Sequence, residues 1–303
     1  MFEGLAMERL ETEWTEYPVL HMDFSGSKYY DVDMLKTAIN VQISRWEEVY
    51  GKNESEKSFS SRFEGVIQRA YQQTGKQVVV LVDEYDSPLL DSNHKPELQE
   101  PFYSIIYSLF SSIKALGRYL RFFFMTGIHK FYPMKFNDGT LNHMKDISMD
   151  EDYSTICGVT ENELFAIFNN EVITLAENRK TSEEKVINLL KEYCGGYLFS
   201  GTGECTYRTY DLLNCLVNDG NLSDDLDEKK SHEEILDKIS LQNVEESYLV
   251  TSDYMFCSPD QSNDIVPILY QYGYLTIKGY DRRWNIYELG FPNNKTRLVF
   301  SSL

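Results

Sequence analysis

Gln77-Val-Val-Val-Leu-Val-Asp83-Glu84-Tyr85-Asp86 is the stretch from which the rest of the chain is most readily interpreted. The unbroken apolar run from Val78 to Val82 has the pattern of a strand buried on both faces, the character of a central strand in a parallel sheet. Asp83 and Glu84 follow at its carboxyl end. Carboxylates there suit two tasks: Asp83 holding Mg²⁺ through a bound water, and Glu84 orienting or deprotonating the water that attacks a phosphoryl group. A polar turn after an apolar strand explains an Asp-Glu pair about equally well, and the longer run Asp83-Glu84-Tyr85-Asp86-x-Pro88 is the more distinctive part.

On either side, strand and helix patterns alternate. Tyr17 to Ser25 reads as a strand ending in small polar residues, Asp33 to Tyr50 and Phe59 to Thr74 as helices, and Gly75 as a stop. Phe102 to Leu116 reads as a helix stopped by Gly117, and Tyr119 to Gly127 as a strand running into a loop. This alternation predicts an α/β fold with a parallel sheet and helices on both faces, its ligands bound at the carboxyl ends of the strands. Asp23, Asp83, Glu84 and Thr126 are all expected there.

The texture changes after about residue 150. Lys145 to Met149 reads as a short strand, Thr160 as the N-cap of a helix running through Glu171, and Thr181 to Cys194 and Tyr210 to Val217 as helices without intervening strands. Asn218 to Lys230 is polar and acidic and reads as a linker, with a helix from Glu233 to Tyr248. Ile265 to Ile277 and then Trp284 to Pro292 predict a helix leading into a β-hairpin, a winged-helix-like end. The expected divisions are an α/β core over 1–150, a helical lid over 151–220, an acidic linker and helix over 221–264, and the winged-helix-like part over 265–303.

Composition narrows the function classes. With 42% hydrophobic and 14% aromatic residues the chain can bury a sizeable core, so wholesale disorder is excluded. A formal net charge of −19 argues against a broad phosphate-neutralising surface, and nucleic acid is not an expected partner. The 5 cysteines lack a C-x-x-C pair and the 5 histidines lack metal-ligand spacing, which fits reduced thiols and no protein-only transition-metal site. No apolar run approaches the roughly 20 residues of a membrane-spanning helix. A cytoplasmic location is expected.

The other candidate chemistry is weaker. Thr126-Gly127 after a strand offers a hydroxyl to sense a γ-phosphate, though Thr-Gly is also an ordinary strand exit; Arg121 and Lys130 offer positive charge. No segment matches Gly-x-x-x-x-Gly-Lys-Ser/Thr, the loop whose backbone N–H groups wrap phosphates, nor does a G-x-S-x-G elbow occur. A metal-dependent nuclease using Asp83, Glu84 and Asp86 fits the acidic cluster, but Asp86-Ser-Pro88 does not match the order such sites use with a lysine.

Taken in order, Phe2-Glu-Gly-Leu, Tyr17-Pro-Val-Leu-His-Met-Asp-Phe-Ser25, Val79-Val-Leu-Val-Asp-Glu-Tyr-Asp86, Phe124-Met-Thr-Gly-Ile-His-Lys-Phe131, Asp146-Ile-Ser148, Tyr153-Ser-Thr-Ile-Cys-Gly158 and Tyr270-Gln-Tyr-Gly-Tyr-Leu-Thr-Ile277 resemble the landmarks of the bacterial AAA-ATPase-like proteins. Full-length members of that family carry a P-loop ATPase core followed by a PD-(D/E)xK nuclease-like domain. The resemblance implies ATP and Mg²⁺ as cofactors, Asp83 as the Mg²⁺-associated acid, Glu84 as the catalytic acid and Thr126 as a sensor.

It also implies truncation at both ends. The family's phosphate loop precedes its Phe-Glu-Gly-Leu landmark, which here begins at Phe2, and its nuclease-like domain follows the Leu289-Gly-Phe-Pro-Asn293 junction. Gly195-Gly-Tyr-Leu-Phe199 and Tyr207-Arg-Thr-Tyr210 depart from the family pattern. A chain without the first strand leaves the Phe122-Phe123-Phe124 strand with an open apolar edge. The expected function is therefore an ancestral Mg-dependent ATPase domain, inactive or incomplete as it stands. The alternative is a noncatalytic interaction module or one piece of a split ATPase, partnered by a separately encoded segment or by itself.

Overall fold

The computed structural model describes residues 6–92, 95–130, 144–218, 244–257 and 264–301. The chain divides into two compact units, Met1–Met144 and Lys145–Leu303.

The first unit begins with α1 (Ala6–Leu10), which buries no residue. It continues through β1 (Val19–Asp23), α2 (Val32–Tyr50), α3 (Phe59–Thr74), β2 (Val78–Asp83), α4 (Ser87–Asp91), α5 (Pro96–Ser111) and β3 (Leu120–Met125). Local signals set the helix ends. The Asp31 carboxylate accepts the Met34 N–H at the start of α2, and Ser58 and Ser61 form a capping box at the start of α3. Gly75 ends α3 at φ 66°, a left-handed conformation that costs glycine nothing.

The strands form a parallel sheet in the order β1-β2-β3, so the Val78–Val82 run is central, as its sequence predicts. Its register aligns Leu20, Val80 and Phe123 in one row and Met22, Val82 and Met125 in another. Leu20, Met22, Val80 and Val82 are buried with Leu35, Ile39 and Ile43 of α2, Phe63, Val66 and Ile67 of α3, and Phe102, Ile106 and Phe110 of α5. Burying an apolar side chain of this kind contributes about 1.5–3 kcal/mol, so this layer dominates the unit's stability.

The expectation of helices on both faces needs correction. Val19, Val79, Leu81, Phe122 and Phe124 point to the opposite face by alternation, and none of them joins the core cluster. Val19 is 51% exposed and Phe122 52%. The core residues of α2, α3, α4 and α5 all pack on the face of Leu20, Met22, Val80 and Val82. The reason is topological: the steps from β1 to β2 and from β2 to β3 go the same way, and right-handed crossovers in one direction put all their helices on one face.

The second unit contains β4 (Gly158–Thr160), α6 (Glu161–Ile167), α7 (Asn169–Asn178), α8 (Glu183–Cys194), β5 (Thr206–Arg208) and α9 (Thr209–Val217). After these come β6 (Ser247–Thr251), α10 (Ser252–Met255), α11 (Ile265–Gln271), β7 (Thr276–Asp281), β8 (Ile286–Gly290) and α12 (Asn294–Ser301). Thr160 caps α6 with Glu163 in a capping box, as expected, but the helix ends at Ile167 and α7 starts afresh after Phe168. The helix and hairpin of the C-terminal part form as read, and β6 adds a third antiparallel strand in the order β6-β8-β7.

Three expectations fail here. Lys145 to Met149 is not a strand: the Asp146 carboxylate accepts the Ser148 N–H at 3.0 Å, a local turn that competes with ladder pairing. The stretch after 150 is not purely helical, because β4 and β5 pair antiparallel. Tyr248 lies in β6 rather than in a helix, where Ser247 to Thr251 pair residue by residue with Gly290 to Ile286. The rest of that expected helix, from 233 to 243, and the linker from 219 to 230 lie outside the described residues.

Candidate functional site

Parallel pairing puts the ends of β1 and β2 side by side, with Asp23 the register partner of Asp83. Asp23 is held by Ser25, whose N–H and hydroxyl donate to its Oδ1 at 2.7 and 2.6 Å, and these bonds keep its carboxyl below the ordinary range. The Asp83 carboxylate is exposed, and its Oδ1 accepts the Thr126 hydroxyl at 2.5 Å. Thr126 comes from the exit of β3, where its N–H donates to Val82 O at 2.9 Å. The structure thus brings together Asp23, Asp83, Glu84 and Thr126 at the carboxyl edge, as their sequence positions imply.

Glu84 is the strained member. Its φ of 49° lies in the left-handed region that an L side chain other than Asn or Asp rarely adopts. Burial pushes its carboxyl pKa upward, the charges of Asp83 and Asp23 push the same way, and Lys28 opposes them. A carboxylate raised toward neutrality beside one that stays exposed is the pairing that general-base chemistry uses. Nearby Tyr29 is buried, donates its hydroxyl to Phe24 O at 3.1 Å, and is pushed up to about 12 by burial and by Asp23, Asp91 and Glu84.

The loops around this edge are fastened to one another. Asp91 at the end of α4 accepts Lys28 Nζ at 3.1 Å and the Tyr29 N–H at 2.9 Å, tying the loop after β1 to the segment after β2. Arg121 does not join the site: it is the second residue of β3, at the opposite end from Thr126, and lies over the Tyr17 ring at 5.8 Å.

Asp86 is where the sequence misleads. In an acidic cluster it reads as one more metal or catalytic carboxylate, yet it is 1% exposed and turns to the loop after β3. Its Oδ2 accepts the N–H groups of Ile128 at 2.9 Å and His129 at 2.7 Å. The Tyr85 hydroxyl donates to His129 O at 2.8 Å, and the Tyr85 N–H to Thr126 O at 3.1 Å. Gly127 lets the two segments close, because a Cβ there would lie 2.4 Å from Asp86 Oδ1 and 2.8 Å from the Tyr85 ring. The sequence singles out the run Asp83-Glu84-Tyr85-Asp86-x-Pro88 and the Thr126-Gly127 exit, but not that Asp86, Tyr85 and Gly127 pack against one another.

Whether the edge suits Mg²⁺ turns on its donors. Among the described residues no group of three or more His, Cys, Asp or Glu is placed to hold a metal ion. One exposed carboxylate fixed by a hydroxyl fits Mg²⁺, which keeps most of its waters and takes one or two carboxylates with a substrate's phosphates. Asp83 is that residue. A cleft of about 830 Å³ beside β1 includes His21, Asp23, Lys28, Tyr29, Gln42 and Arg45 in its lining, but not Asp83, Glu84 or Thr126.

Two likenesses to known proteins were found. A family model described as a predicted AAA-ATPase matches residues 1–136, the span that carries all four edge residues. An uncharacterized protein in the vnfD 5' region of Azotobacter chroococcum mcd 1 is 32% identical over 214 residues. That match covers 70% of this chain and 39% of the relative. No helix among the described residues is long and apolar enough to cross a membrane.

Proposed function

We propose that the first unit is the acidic half of a Mg-dependent ATP-hydrolysing site on a P-loop NTPase-type sheet. The observation that carries this reading is the Thr126 hydroxyl on Asp83 Oδ1 at 2.5 Å, with Glu84 next in sequence in a strained conformation. Asp83 would hold Mg²⁺ through a water, Glu84 would orient or deprotonate the attacking water, and Thr126, which fixes the Asp83 carboxylate, would sense the γ-phosphate. Mg²⁺ would supply charge neutralisation at the phosphates. These residues supply no phosphate cradle of their own, since the sequence holds no Gly-x-x-x-x-Gly-Lys-Ser/Thr loop.

By the same reading, the described residues within 151–220 serve as a lid and those within 265–303 as a winged-helix-like end. Free cysteines among the described residues fit a reducing, cytoplasmic setting. The test is phosphate release from Mg-ATP by the purified protein beside Glu84→Gln. Release that the substitution abolishes supports hydrolysis by this chain. Equal background from both overturns it for the chain and leaves the site an incomplete half.

A second reading has its own observation. β3 is an edge strand of the described sheet, and its own Phe122 and Phe124 stack at 5.9 Å on the face opposite the core. We infer an interaction module whose sheet is completed by a separately encoded segment or by a second copy. Concentration-dependent mass in sedimentation that Phe122→Lys abolishes would support the second copy, and a strictly monomeric wild type would exclude it.

A further inference from the structure

We propose that Asp86 is a positioning residue: it latches the 126–130 loop to the end of β2 and thereby sets the Thr126 hydroxyl on Asp83. Its catalytic meaning rests on the hydrolase reading above, but the latch is a property of the fold. Four bonds stitch the two segments, two from the Ile128 and His129 N–H groups to Asp86 Oδ2 and two from the Tyr85 hydroxyl and N–H to His129 O and Thr126 O. Two of these end on a single buried carboxylate. Gly127 closes against Asp86 and Tyr85 at distances no Cβ tolerates.

The latch also carries two opposed titrations. His129 is 1% exposed, with Nδ1 3.9 Å from Asp86 Oδ2, too long for a hydrogen bond. Burial pushes Asp86 up to about 6 and His129 down to about 4. The groups that face Asp86 are His129 from the β3 exit and Glu84 and Tyr85 from its own turn, Glu84 adding to the upward push. The signs follow from linkage. The closed latch holds an Asp86 proton that the open form releases, so this residue tightens the latch as pH falls from about 6 toward 4. The open form takes up a His129 proton that the closed form refuses, so this residue loosens the latch over the range from about 6.5 to 4. The two effects offset each other in the wild type.

Amide hydrogen exchange read by NMR between pH 4.5 and 7, corrected for intrinsic rates, tests the proposal. Asp86→Ala, which removes the acceptor as well as the charge, is expected to raise exchange at Tyr85, Ile128 and His129 together, at least tenfold, while Val80 in the core stays protected. Wild-type protection of these amides should vary little with pH. In Asp86→Ala it should fall with acid, and in His129→Asn rise with acid, each by up to on the order of a hundredfold. Opposite slopes distinguish a latch from a general packing defect, which would move both variants alike. Unchanged exchange at Ile128 and His129 in Asp86→Ala would overturn the proposal, as would slopes of the same sign. If Asp86→Ala does not fold, the rise with acid in His129→Asn decides alone. These amides report nothing of ATP turnover, so a failed hydrolase reading shows in phosphate release and a failed latch here.

Discussion

Thr126 donates its hydroxyl to Asp83 Oδ1 at 2.5 Å, joining the exit of an edge strand to the end of the central one. A side-chain bond between two strand exits holds the carboxylate in one orientation without burying it. That leaves Asp83 able to meet a hydrated cation while denying it rotamer freedom.

Removing the hydroxyl should therefore cost stability modestly. Thr126→Val is expected to destabilise the first unit by about 1 kcal/mol, and Thr126→Ser, which keeps the donor, by less. Urea unfolding followed through Trp46, which packs on Phe63 at 5.9 Å, checks this in a protein carrying Trp14→Phe and Trp284→Phe.

Glu84 trades stability for its position. Glu84→Gly relieves the positive φ and Glu84→Gln removes a charge facing Asp83 and Asp23. Both should raise the melting temperature, the glycine variant by up to about 1 kcal/mol in stability, while either removes the proposed base. A glutamine variant less stable than wild type at pH 7 would contradict the repulsion argument.

Gly127→Ala drives a methyl group into Asp86 and Tyr85. A loss of about 1–3 kcal/mol is expected, measured by the same fluorescence transition. A silent substitution would mean the two loops sit farther apart than described.

The buried pair between α2 and α3 gives a pH prediction. Arg62 Nε and Nη2 donate to the two Glu47 oxygens at 2.8 and 2.7 Å, and the guanidinium holds the Glu47 carboxyl below its ordinary range. The folded state thus binds the Glu47 proton more weakly than the unfolded chain. Its contribution is present above the usual glutamate range and is lost as pH falls through the lowered value. Arg62→Met should cost about 3 kcal/mol at pH 7 and much less under acid, checked by urea unfolding at pH 7 and pH 3.

Much of the first unit was legible in order. Apolar runs, helix caps and stop glycines act within a few residues, so β1 to β3, α2, α3, much of α5 and the four edge residues Asp23, Asp83, Glu84 and Thr126 follow from local pattern, while α1, α4 and the start of α5 at Pro96 were not read. The second unit was less legible because β4 and β5 pair across more than forty positions, and a three-residue strand has no periodicity of its own to read.

Local chemistry thus determined that a strand would end in two carboxylates and that a hydroxyl would follow the next strand. It did not determine what each acidic residue faces. Asp83 and Asp86 are the same side chain three positions apart, yet one is exposed at the sheet edge and the other is 1% exposed under the 126–130 loop. The Asp86 bonds span 42 and 43 positions, and such a contact exists because parallel pairing brings two strand exits together. The placing of Phe122 and Phe124 on the face away from the core has the same origin. It follows from the direction in which successive strands add to the sheet, a property of the whole topology that no single stretch of residues encodes.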